Sequence, residues 1–459
     1  MFKKIEMWVL YLVILLSFVF AVFFGVLVRQ ELVGNVKAGW FSKTALDLAE
    51  IPVNIKRFSQ GVSSDLILKD RFINLKGFDG TPNSQEAYLL LSRYDGDLEE
   101  GVVELVDLTN FQVLHTWNPD INAFNDLVKK EDEFKYLNRD APNSRSLLSN
   151  PLLMSDGSLV FHTSLTPIRK IDFCSNLVFQ NTKDIFHHSI EKDKNENIWA
   201  SSHLYPQALS ENRVGRKLMN EGGYYDDAIV KLSPKGEIIY EKSVSQILID
   251  NGMEARLSMI GTNHQFLRDP IHINDIQPVN YDSDYWKEGD LFLSLGHQSM
   301  VVLFRPKSGK ILWKLEENIF HQHDVNILSN NEISIFNNNR KYFFPNEDVV
   351  DGHNEVLVFN FKSGQTTSYL KDSLIRENVK TKSQGRSDIL INGDLFVEET
   401  NFGRTLYFNK DGSLRWSYVN RASNGNIYGV GWSRILFKPS DIKNVKKIIK
   451  EKNQNCISD

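Results

Sequence analysis

Cysteine is almost absent from this chain of 459 residues, since only Cys174 and Cys456 occur. They lie 282 positions apart in the sequence. A small fold stapled by several disulfides is excluded, and so is a metal site built from several cysteines. If the chain lies in an oxidising compartment, we expect the two thiols to be buried or free.

Glycine and proline are scarce as well, with 27 and 13 residues, and no charge of one sign dominates. The formal net charge of −5 provides no basic field, which excludes a nucleic-acid coat protein. We therefore expect no nucleic-acid partner. Hydrophobic residues make up 41% of the chain, so a large core can form and wholesale disorder is excluded.

Several familiar catalytic motifs are missing too. The chain contains no Gly-rich phosphate loop and no HExxH, GxSxG or CxxC pattern. The usual sequence signals for a nucleotide-binding loop, a zinc protease, an α/β-hydrolase and a dithiol site are therefore absent.

One long apolar run is present, at Trp8–Val28, where 21 residues carry no charge. At about 1.5 Å per residue this run spans roughly 30 Å, the thickness of a bilayer core. The apolar region of a cleaved signal peptide is shorter, about 7–15 residues. We therefore favour an uncleaved membrane anchor over residues 1–29 rather than a signal peptide. Lys3 and Lys4 place the N-terminus in the cytoplasm, and the body outside it, in the periplasm if the cell is Gram-negative.

The body repeats one unit: an apolar strand, a turn with Gly, Asn or Asp, and a second strand that often carries an aromatic residue. Six copies occur, at 102–118, 168–184, 228–244, 301–317, 356–372 and 405–421. Most copies follow a second hairpin, and two hairpins make a four-stranded sheet. The pattern predicts an all-β fold, a six-bladed β-propeller over residues 81–438, with Ala87–Arg93 completing a blade with the other terminus. A pair of β-sandwiches does not explain the recurrence.

Two segments flank this body. Residues 30–80 resemble an irregular stalk or strap, and residues 439–459 a basic tail that contains a short helix. We favour a solvated tail over one that contacts the membrane.

Histidines recur at the start of the inner hairpins, as His188, His272 and His323. In a propeller the first strand of each blade is innermost, so residues at one repeat position converge on the axis. Arg386 and Arg145 occupy the matching place in the flanking blades. Converging imidazole and guanidinium groups suit an anionic tetrahedral ligand, a sulfuryl or phosphoryl group, and a neutral imidazole is a competent nucleophile. The alternative is that each histidine only caps its own hairpin.

A metal site is a second functional interpretation. His321 and His323 are two residues apart, so on a strand their side chains face the same way, with Asp324 beside them. The three could bind zinc or iron, although a channel-facing strand shows the same alternation without a metal.

The stretch 269–339 resembles the arylsulfotransferase family. It contains in order a His-Ile-Asn stretch, a Ser-Leu-Gly-His strand, a Gly-x-x-x-Trp-like hairpin, a Gln-His-Asp and a Phe-Asn-Asn-Asn. The pair His187-His188 is similar to the family's His-His-Asp-Ile element, 384–418 is similar to its final blade, and the resemblance covers roughly residues 85–435.

The resemblance implies a propeller that moves a sulfuryl group from an aryl sulfate ester to a phenol, without a nucleotide donor. His323 would be the nucleophile that becomes sulfo-histidine, while His188 and His272 would hold sulfate oxygens and one of them would act as general acid. No metal or diffusible cofactor would be needed for the transfer. Further substrate contacts are expected from His187, Asn274, His297, His321, Arg340 and Arg386.

This chain departs from the family pattern at Gly296, where the family has an arginine. Its loss removes a charge-assisted contact worth about 1.5–3 kcal/mol, unless Arg340, Arg386 or His297 replaces it. A non-catalytic propeller that serves as a ligand-binding protein or scaffold of the cell envelope is therefore the alternative to a membrane-anchored sulfotransferase.

Overall fold

A computed structural model describes residues 6–32, 66–258, 268–343, 347–452 and 456, together with 39–51 except positions 43, 47 and 50. Two compact units are present, Met1–Ser64 and Asp65–Asp459. The first contains helix α1, Met7–Leu32. Its segment Met7–Gln30 is long and apolar enough to cross a membrane by length and composition, as a signal sequence would also be.

The second unit is built almost entirely from strands. In chain order they are β1 Ile67–Leu68, β2 Gly77–Gly80, β3 Tyr88–Asp95, β4 Glu100–Asp107, β5 Gln112–Trp117, β6 Ser149–Leu153, β7 Leu159–His162, β8 Thr166–Ile171, β9 Leu177–Lys192, β10 Ile198–His203, β11 Asp227–Leu232, β12 Ile238–Ser243, β13 Ile273–Pro278, β14 Leu291–Leu295, β15 Met300–Arg305, β16 Lys310–Leu315, β17 Val325–Ser329, β18 Glu332–Asn337, β19 Arg340–Phe343, β20 Glu347–Val350, β21 Glu355–Asn360, β22 Gln365–Tyr369, β23 Arg386–Ile389, β24 Leu395–Glu399, β25 Arg404–Phe408, β26 Leu414–Val419, β27 Ile427–Tyr428 and β28 Arg434–Leu436.

The helices of this unit are short, apart from the last. They are α2 Ile121–Asp126, α3 Leu137–Asp140, α4 Glu211–Val214, α5 Val244–Asp250, α6 Lys371–Arg376 and α7 Pro439–Lys452.

The strands form an all-β, propeller-like fold. Four sheets have the form of a blade, each with four or five strands in antiparallel succession: β28-β3-β4-β5, β13-β14-β15-β16, β17-β18-β21-β22 and β2-β26-β25-β24-β23. A seven-stranded sheet, β12-β11-β10-β9-β8-β7-β6, and two small sheets, β1-β27 and β19-β20, contain the other strands. The middle strand of the seven-stranded sheet, β9, pairs with β8 through its first half and with β10 through its second half.

The hairpins expected from the repeats are present. Each of the six copies falls on a pair of consecutive antiparallel strands, for example β15 with β16 and β25 with β26. The turn of the first of these hairpins ends on Gly309, whose φ of +67° favours glycine. The second strands of three of these hairpins carry a tryptophan, namely Trp117, Trp313 and Trp416. Trp117 and Trp416 are fully buried.

Apolar clusters lie between successive sheets. One, for instance, joins Trp199 and Ile229 to residues of β13–β15, and another joins Phe336 and Val356 to residues of β24 and β25. The series returns to its start, because β24–β26 pack on β3 and β4 through a further cluster. The expected closure between the two ends of the body is confirmed by β28, which pairs with β3.

The C-terminal segment differs from the solvated tail that we expected. Helix α7 is amphipathic, and its residues Val445 and Ile448 are buried in the cluster that contains Phe173. Beyond the helix, Cys456 forms a disulfide with Cys174. The expectation of buried or free thiols is therefore wrong. This pair could not be predicted from the sequence, because it depends on the tertiary structure. The fold brings the C-terminal segment to the turn between β8 and β9, where Cys174 lies.

The expectation of a stalk or strap over residues 30–80 falls largely outside the described residues. Within 66–80, which the structure describes, the chain is not irregular throughout. Strand β1 pairs with β27, and β2 extends one blade as its fifth strand beside β26. Arg421 fixes this region by donating to the carboxylate of Asp70 at 2.7 and 3.0 Å.

Candidate active site: a cluster of histidines at the inner strands

The inner strands enter the site through residues with left-handed backbone conformation. Their φ angles lie between about +50° and +61°, at Asn150, His188, His272, His321, Gln384 and Trp432. His323 does not share this conformation and lies two residues after His321. The expectation that His188, His272 and His323 occupy one repeat position therefore needs correction, although their rings do meet.

The three imidazole rings converge as the repeats indicated. The ring of His188 lies 4.8 Å from that of His272 and 5.9 Å from that of His323, measured between centroids. The cluster extends further: His297 stacks on His272 at 4.3 Å, and His321 lies 5.6 Å from His297. Solvent reaches the side chains of His272 and His297, which are 29% and 33% exposed. His323 is buried.

His323 is held by hydrogen bonds at both ring nitrogens. Its Nδ1 lies 2.8 Å from Asn338 Oδ1 and 3.1 Å from the His321 carbonyl, so the proton sits on Nδ1. Its Nε2 accepts the backbone N–H of Gln384 at 2.7 Å. Burial, the largest influence, lowers the pKa of His323 to about 3. The ring is therefore neutral at neutral pH, with its lone pair on Nε2.

His272 has the opposite electrostatic character. Its Nδ1 lies 2.6 Å from Asp269 Oδ2. Burial by itself would lower the pKa of His272, but the hydrogen bond and the charge of Asp269 outweigh burial, so the pKa is raised. His297 donates from Nδ1 to the Asp269 carbonyl at 2.7 Å, and burial together with neighbouring His272 lowers its pKa. His272 is thus the ring in this cluster most suited to carry a proton.

His188 and His187 lie back to back. Their Nδ1 atoms are 2.8 Å apart, a distance that requires one shared proton. Burial and the neighbouring imidazoles, His272 first, hold the pKa of His188 well below its usual range. The other nitrogen of the His187 ring, Nε2, faces Asp227, and the ring stacks on that of His203. Asp227 and His203 were not predicted from the sequence.

Asn274 was expected to contact the substrate, but its side-chain amide is engaged with the protein itself. Its Nδ2 donates to the Gln322 carbonyl at 2.8 Å, and its side chain occupies the space beside Gly296. A Cβ on Gly296 would lie 2.2 Å from Asn274 Nδ2. The Asn274 side chain therefore lies where a Cβ at position 296 would be.

The arginines expected at the site separate in the structure. Arg386 is buried among carboxylates, 3.4 Å from Asp388 and 3.8 Å from Asp324, and it lines a cavity of about 700 Å³ together with Glu191 and Arg434. Its expected place among the histidines is wrong, because its charge is neutralised by carboxylates on its own strand and the neighbouring one. Arg145 ends a short turn and donates to the Arg139 carbonyl.

Arg340 is the third of the expected arginines. Its positive charge lowers the pKa of His272, with a smaller influence than burial or Asp269. It begins β19, in the excursion between β18 and β21.

The metal interpretation at His321, His323 and Asp324 gains no support from their contacts. Both ring nitrogens of His323 have protein partners, as given above. Asp324 Oδ2 accepts from the Ser387 amide at 3.1 Å and from Asn326 Nδ2 at 2.6 Å. Among the described residues, the side chains close enough to share an ion are two other groups, Asp269-His272-His297 and His187-His203-Asp227.

One wall of the site comes from the far end of the chain. The Trp432 ring lies 6.1 Å from that of His323 and 6.4 Å from that of His188. The buried carboxylate of Glu398 fixes this loop by accepting the backbone amides of Trp432 and Ser433, both at 2.7 Å. Asp269, Asn338 and Trp432 are the residues that sequence reasoning missed. Asp269 lies three residues before His272, a spacing that could have revealed it.

The arrangement combines a neutral buried imidazole, a second imidazole poised to hold a proton, and an aromatic wall. The chain is thus an all-β, propeller-like protein whose inner-strand histidines converge. The profile of the arylsulfotransferase (ASST) family matches residues 150–421, more than half of the chain. The chain therefore belongs to the arylsulfotransferase family.

More distant comparisons concern the fold. Similar solved structures include a protein of unknown function from Bacteroides caccae, with 11% identity over 73% of this chain and 94% of that chain and a TM-score of 0.44. TolB from Acinetobacter baumannii has 9% identity over 87% and 73%, with a TM-score of 0.41. Virginiamycin B lyase from Staphylococcus aureus has 10% identity over 74% and 86%, with a TM-score of 0.35. No curated protein matches this chain in sequence.

Proposed function

We propose that this protein is a membrane-anchored sulfotransferase that moves a sulfuryl group from an aryl sulfate ester to a phenol-like acceptor through a sulfo-histidine. Family membership supports a sulfotransferase with small-molecule substrates. The observation that carries the finer proposal is the meeting of the His188, His272 and His323 rings within 6 Å of one another in succession. Neutral and protonated imidazoles side by side are what a double displacement needs.

His323 is the proposed nucleophile. The Asn338 side chain keeps its proton on Nδ1, so the Nε2 lone pair attacks sulfur while the sulfur–oxygen bond to the aryl group breaks. In the structure this lone pair accepts the Gln384 N–H, so substrate binding must exchange that hydrogen bond for the new nitrogen–sulfur bond. The displaced N–H then lies beside the sulfuryl oxygens and can donate to one of them.

His272 is the proposed general acid. The electron pair of the broken bond goes to the departing phenolate, which takes a proton from His272 Nε2. Asp269 supports this role, because it raises the pKa of His272 and stabilises the imidazolium. In the second half of the reaction His272 accepts the proton of the incoming phenol, whose oxygen attacks sulfur and releases His323 unchanged.

The sulfuryl oxygens require donors that this chain supplies without the family's arginine. We assign them to His188, His297 and Arg340, which surround or electrostatically influence the ring of His272. Trp432 offers a flat surface to an aryl group beside His323 and His188. The substrate class follows from this pairing of an anion site with an aromatic wall.

The remaining architecture is proposed as follows. Counting the seven-stranded sheet as two blades that share β9 gives six blades, in agreement with the six repeats. The apolar helix α1 is the anchor, with its N-terminus in the cytoplasm and the propeller outside. The disulfide between Cys174 and Cys456 supports an oxidising location.

The test is mass spectrometry after incubation of the full chain with 4-nitrophenyl sulfate alone. We expect a sulfuryl group on the peptide that contains His323, and its transfer to added phenol. The variant His323→Ala should release no nitrophenol and carry no label. A label on another histidine of the cluster would overturn the nucleophile assignment. No release from any of a panel of sulfate esters would instead favour the non-catalytic scaffold.

A further inference from the structure

Behind the histidine cluster lies a second group of buried ligand atoms that the proposed reaction does not use. His187, His203 and Asp227 come from the neighbouring strands β9, β10 and β11, and all three are buried. In the sheet register, His203 of β10 lies opposite Asp227 of β11, and His187 of β9 lies opposite Ser201 of β10. The sheet register therefore fixes the three side chains close together.

The distances within this group are short. Asp227 Oδ1 lies 3.1 Å from His187 Nε2 and 3.0 Å from His203 Nε2, and the two rings stack at 4.0 Å between centroids. Ligand atoms bound at about 2.1 Å and roughly a right angle apart on one ion lie about 3 Å from each other. The spacing is thus that of neighbouring ligands on a single cation.

Hydrogen bonds do not account for these three atoms. His187 Nε2, His203 Nε2 and Asp227 Oδ1 are all buried without a hydrogen bond of acceptable geometry among the described residues. Buried polar atoms nearly always have hydrogen bonds, so three such atoms within 4.8 Å of one another, in ion-pair contact but without a hydrogen bond of good geometry, require an explanation. The adjacent Asp226 shows the contrast, since its carboxylate accepts from Ser243 Oγ at 2.7 Å and the Ala208 amide at 2.6 Å.

In two of these side chains the polar atom that does not face the group makes a hydrogen bond to another part of the protein. Metal ligands are commonly oriented by such second hydrogen bonds. Asp227 Oδ2 accepts the Ile273 amide at 3.0 Å. His187 Nδ1 faces His188 Nδ1 at 2.8 Å. With an ion on Nε2, His187 keeps its proton on Nδ1 and donates it to His188.

A cavity adjoins one member of the group. It has a volume of about 200 Å³ and is lined in part by His203, with more acidic than basic side chains, the acidic ones being Glu131, Asp132, Glu133 and Asp184. A lining of this sign favours the entry of cations.

We propose that His187, His203 and Asp227 bind one divalent first-row transition ion, such as Zn²⁺ or Fe²⁺. Two imidazoles and one carboxylate suit these ions, whereas Ca²⁺ and Mg²⁺ prefer oxygen ligands. Three protein ligands leave further coordination positions open. The other group of close ligand atoms differs in exposure: the side chains of Asp269, His272 and His297 are 21%, 29% and 33% exposed, and both Nδ1 atoms there hydrogen-bond to Asp269.

The test is metal content, which does not depend on sulfuryl transfer. The full chain in detergent is treated with EDTA, incubated with Zn²⁺ or Co²⁺, freed of unbound ion and analysed by mass spectrometry for metal. We expect one ion per chain, and visible d–d absorption from the Co²⁺ form. His203→Gln and Asp227→Asn should each weaken binding by more than about 100-fold, beyond the effect of losing an outer partner. His297→Gln, in the other group, should retain one ion.

Thermal unfolding keeps the result interpretable if a variant is unstable. Zn²⁺ should raise the Tm of the wild type and of His297→Gln, and leave the Tm of His203→Gln unchanged. Absence of bound metal in the folded wild type, or equal metal content in wild type and His203→Gln, would overturn the proposal. Sulfuryl transfer by a protein freed of metal would leave the proposed function standing, so the two can fail separately.

Discussion

Asn274 fills the space beside Gly296, so closely that a Cβ on the glycine would lie 2.2 Å from Asn274 Nδ2. The His272 carbonyl oxygen is the next constraint, at 3.2 Å from the same Cβ. Asn274 is buried and donates to the Gln322 carbonyl, so its side chain cannot swing aside without losing that bond. A side chain at the position where the family has an arginine would therefore displace Asn274 from its hydrogen bond.

Gly296→Ala should therefore destabilise the fold. Forcing a methyl group into a packed space costs about 1–3 kcal/mol, and displacing Asn274 adds the loss of a buried hydrogen bond. Gly429→Ala is the matched control, because this glycine is also buried and its Cβ would meet Leu147 Cδ2 at an ordinary 3.4 Å. Chemical denaturation of the two variants measures the difference. Equal stability of both would show that Asn274 moves freely.

Asn338 should control the reactivity of His323. Asn338→Ala removes the acceptor of the Nδ1 proton and should lower kcat by about 10–100-fold, the equivalent of about 1.5–3 kcal/mol, with little change in KM. Asn354→Ala is the control. Asn354 donates to the Asn338 carbonyl, in the loop after β18, and to the Thr381 carbonyl, and neither bond involves His323. Steady-state kinetics with an aryl sulfate separate the two effects. Equal losses in both variants would assign the effect to the loop.

The sequence predicts the fold of the body better than the chemistry of its site. The hairpin repeats depend on local turn signals and alternating apolar residues, and they fell on paired strands. Arg386 shows where this reasoning fails: its place along the strand was predicted, but its side chain turns to Asp324 and Asp388. Side chains alternate between faces along a strand, so a small error in register sends a charge to the opposite environment.

Contacts between residues far apart in the sequence could not be predicted either. Asn338 reaches His323 from the end of the next strand, and Trp432 comes from a loop near the end of the propeller-like unit. The Cys174–Cys456 disulfide spans 282 residues, and no local pattern connects its two halves. Local signals describe elements, whereas these contacts depend on how the sheets pack.

Reduction of the disulfide should loosen the C-terminal helix. Removing a native disulfide typically costs about 2–5 kcal/mol. The buried residues Val445 and Ile448 should keep α7 partly docked, so the protein should remain folded with a lower Tm. Thermal unfolding with and without reductant measures the change. The double variant Cys174→Ser/Cys456→Ser should have the Tm of the reduced wild type under both conditions, and a reductant effect in that variant would contradict the assignment.

The pH dependence of transfer should be bounded on the alkaline side by His272. This imidazole must be protonated to act as the acid, so the rate falls as pH rises through its raised pKa. On the acidic side the rate falls only as His323 protonates, at about pH 3. Burial and Asp269 are the largest influences on the pKa of His272, followed by the charges of Asp227 and Arg340, and the rings of His187, His188 and His297 lie beside it.

Asp269→Asn tests this assignment directly. The neutral amide no longer favours the imidazolium, so the pKa of His272 should drop and the alkaline fall in rate should begin at lower pH. The acidic limb should move little, because burial and the Asn338 hydrogen bond are the largest influences on the pKa of His323. Asp282→Asn removes an exposed carboxylate and should leave the whole profile unchanged. If Asp269→Asn lowers the rate equally at every pH, the carboxylate only orients the ring, and another group supplies the proton.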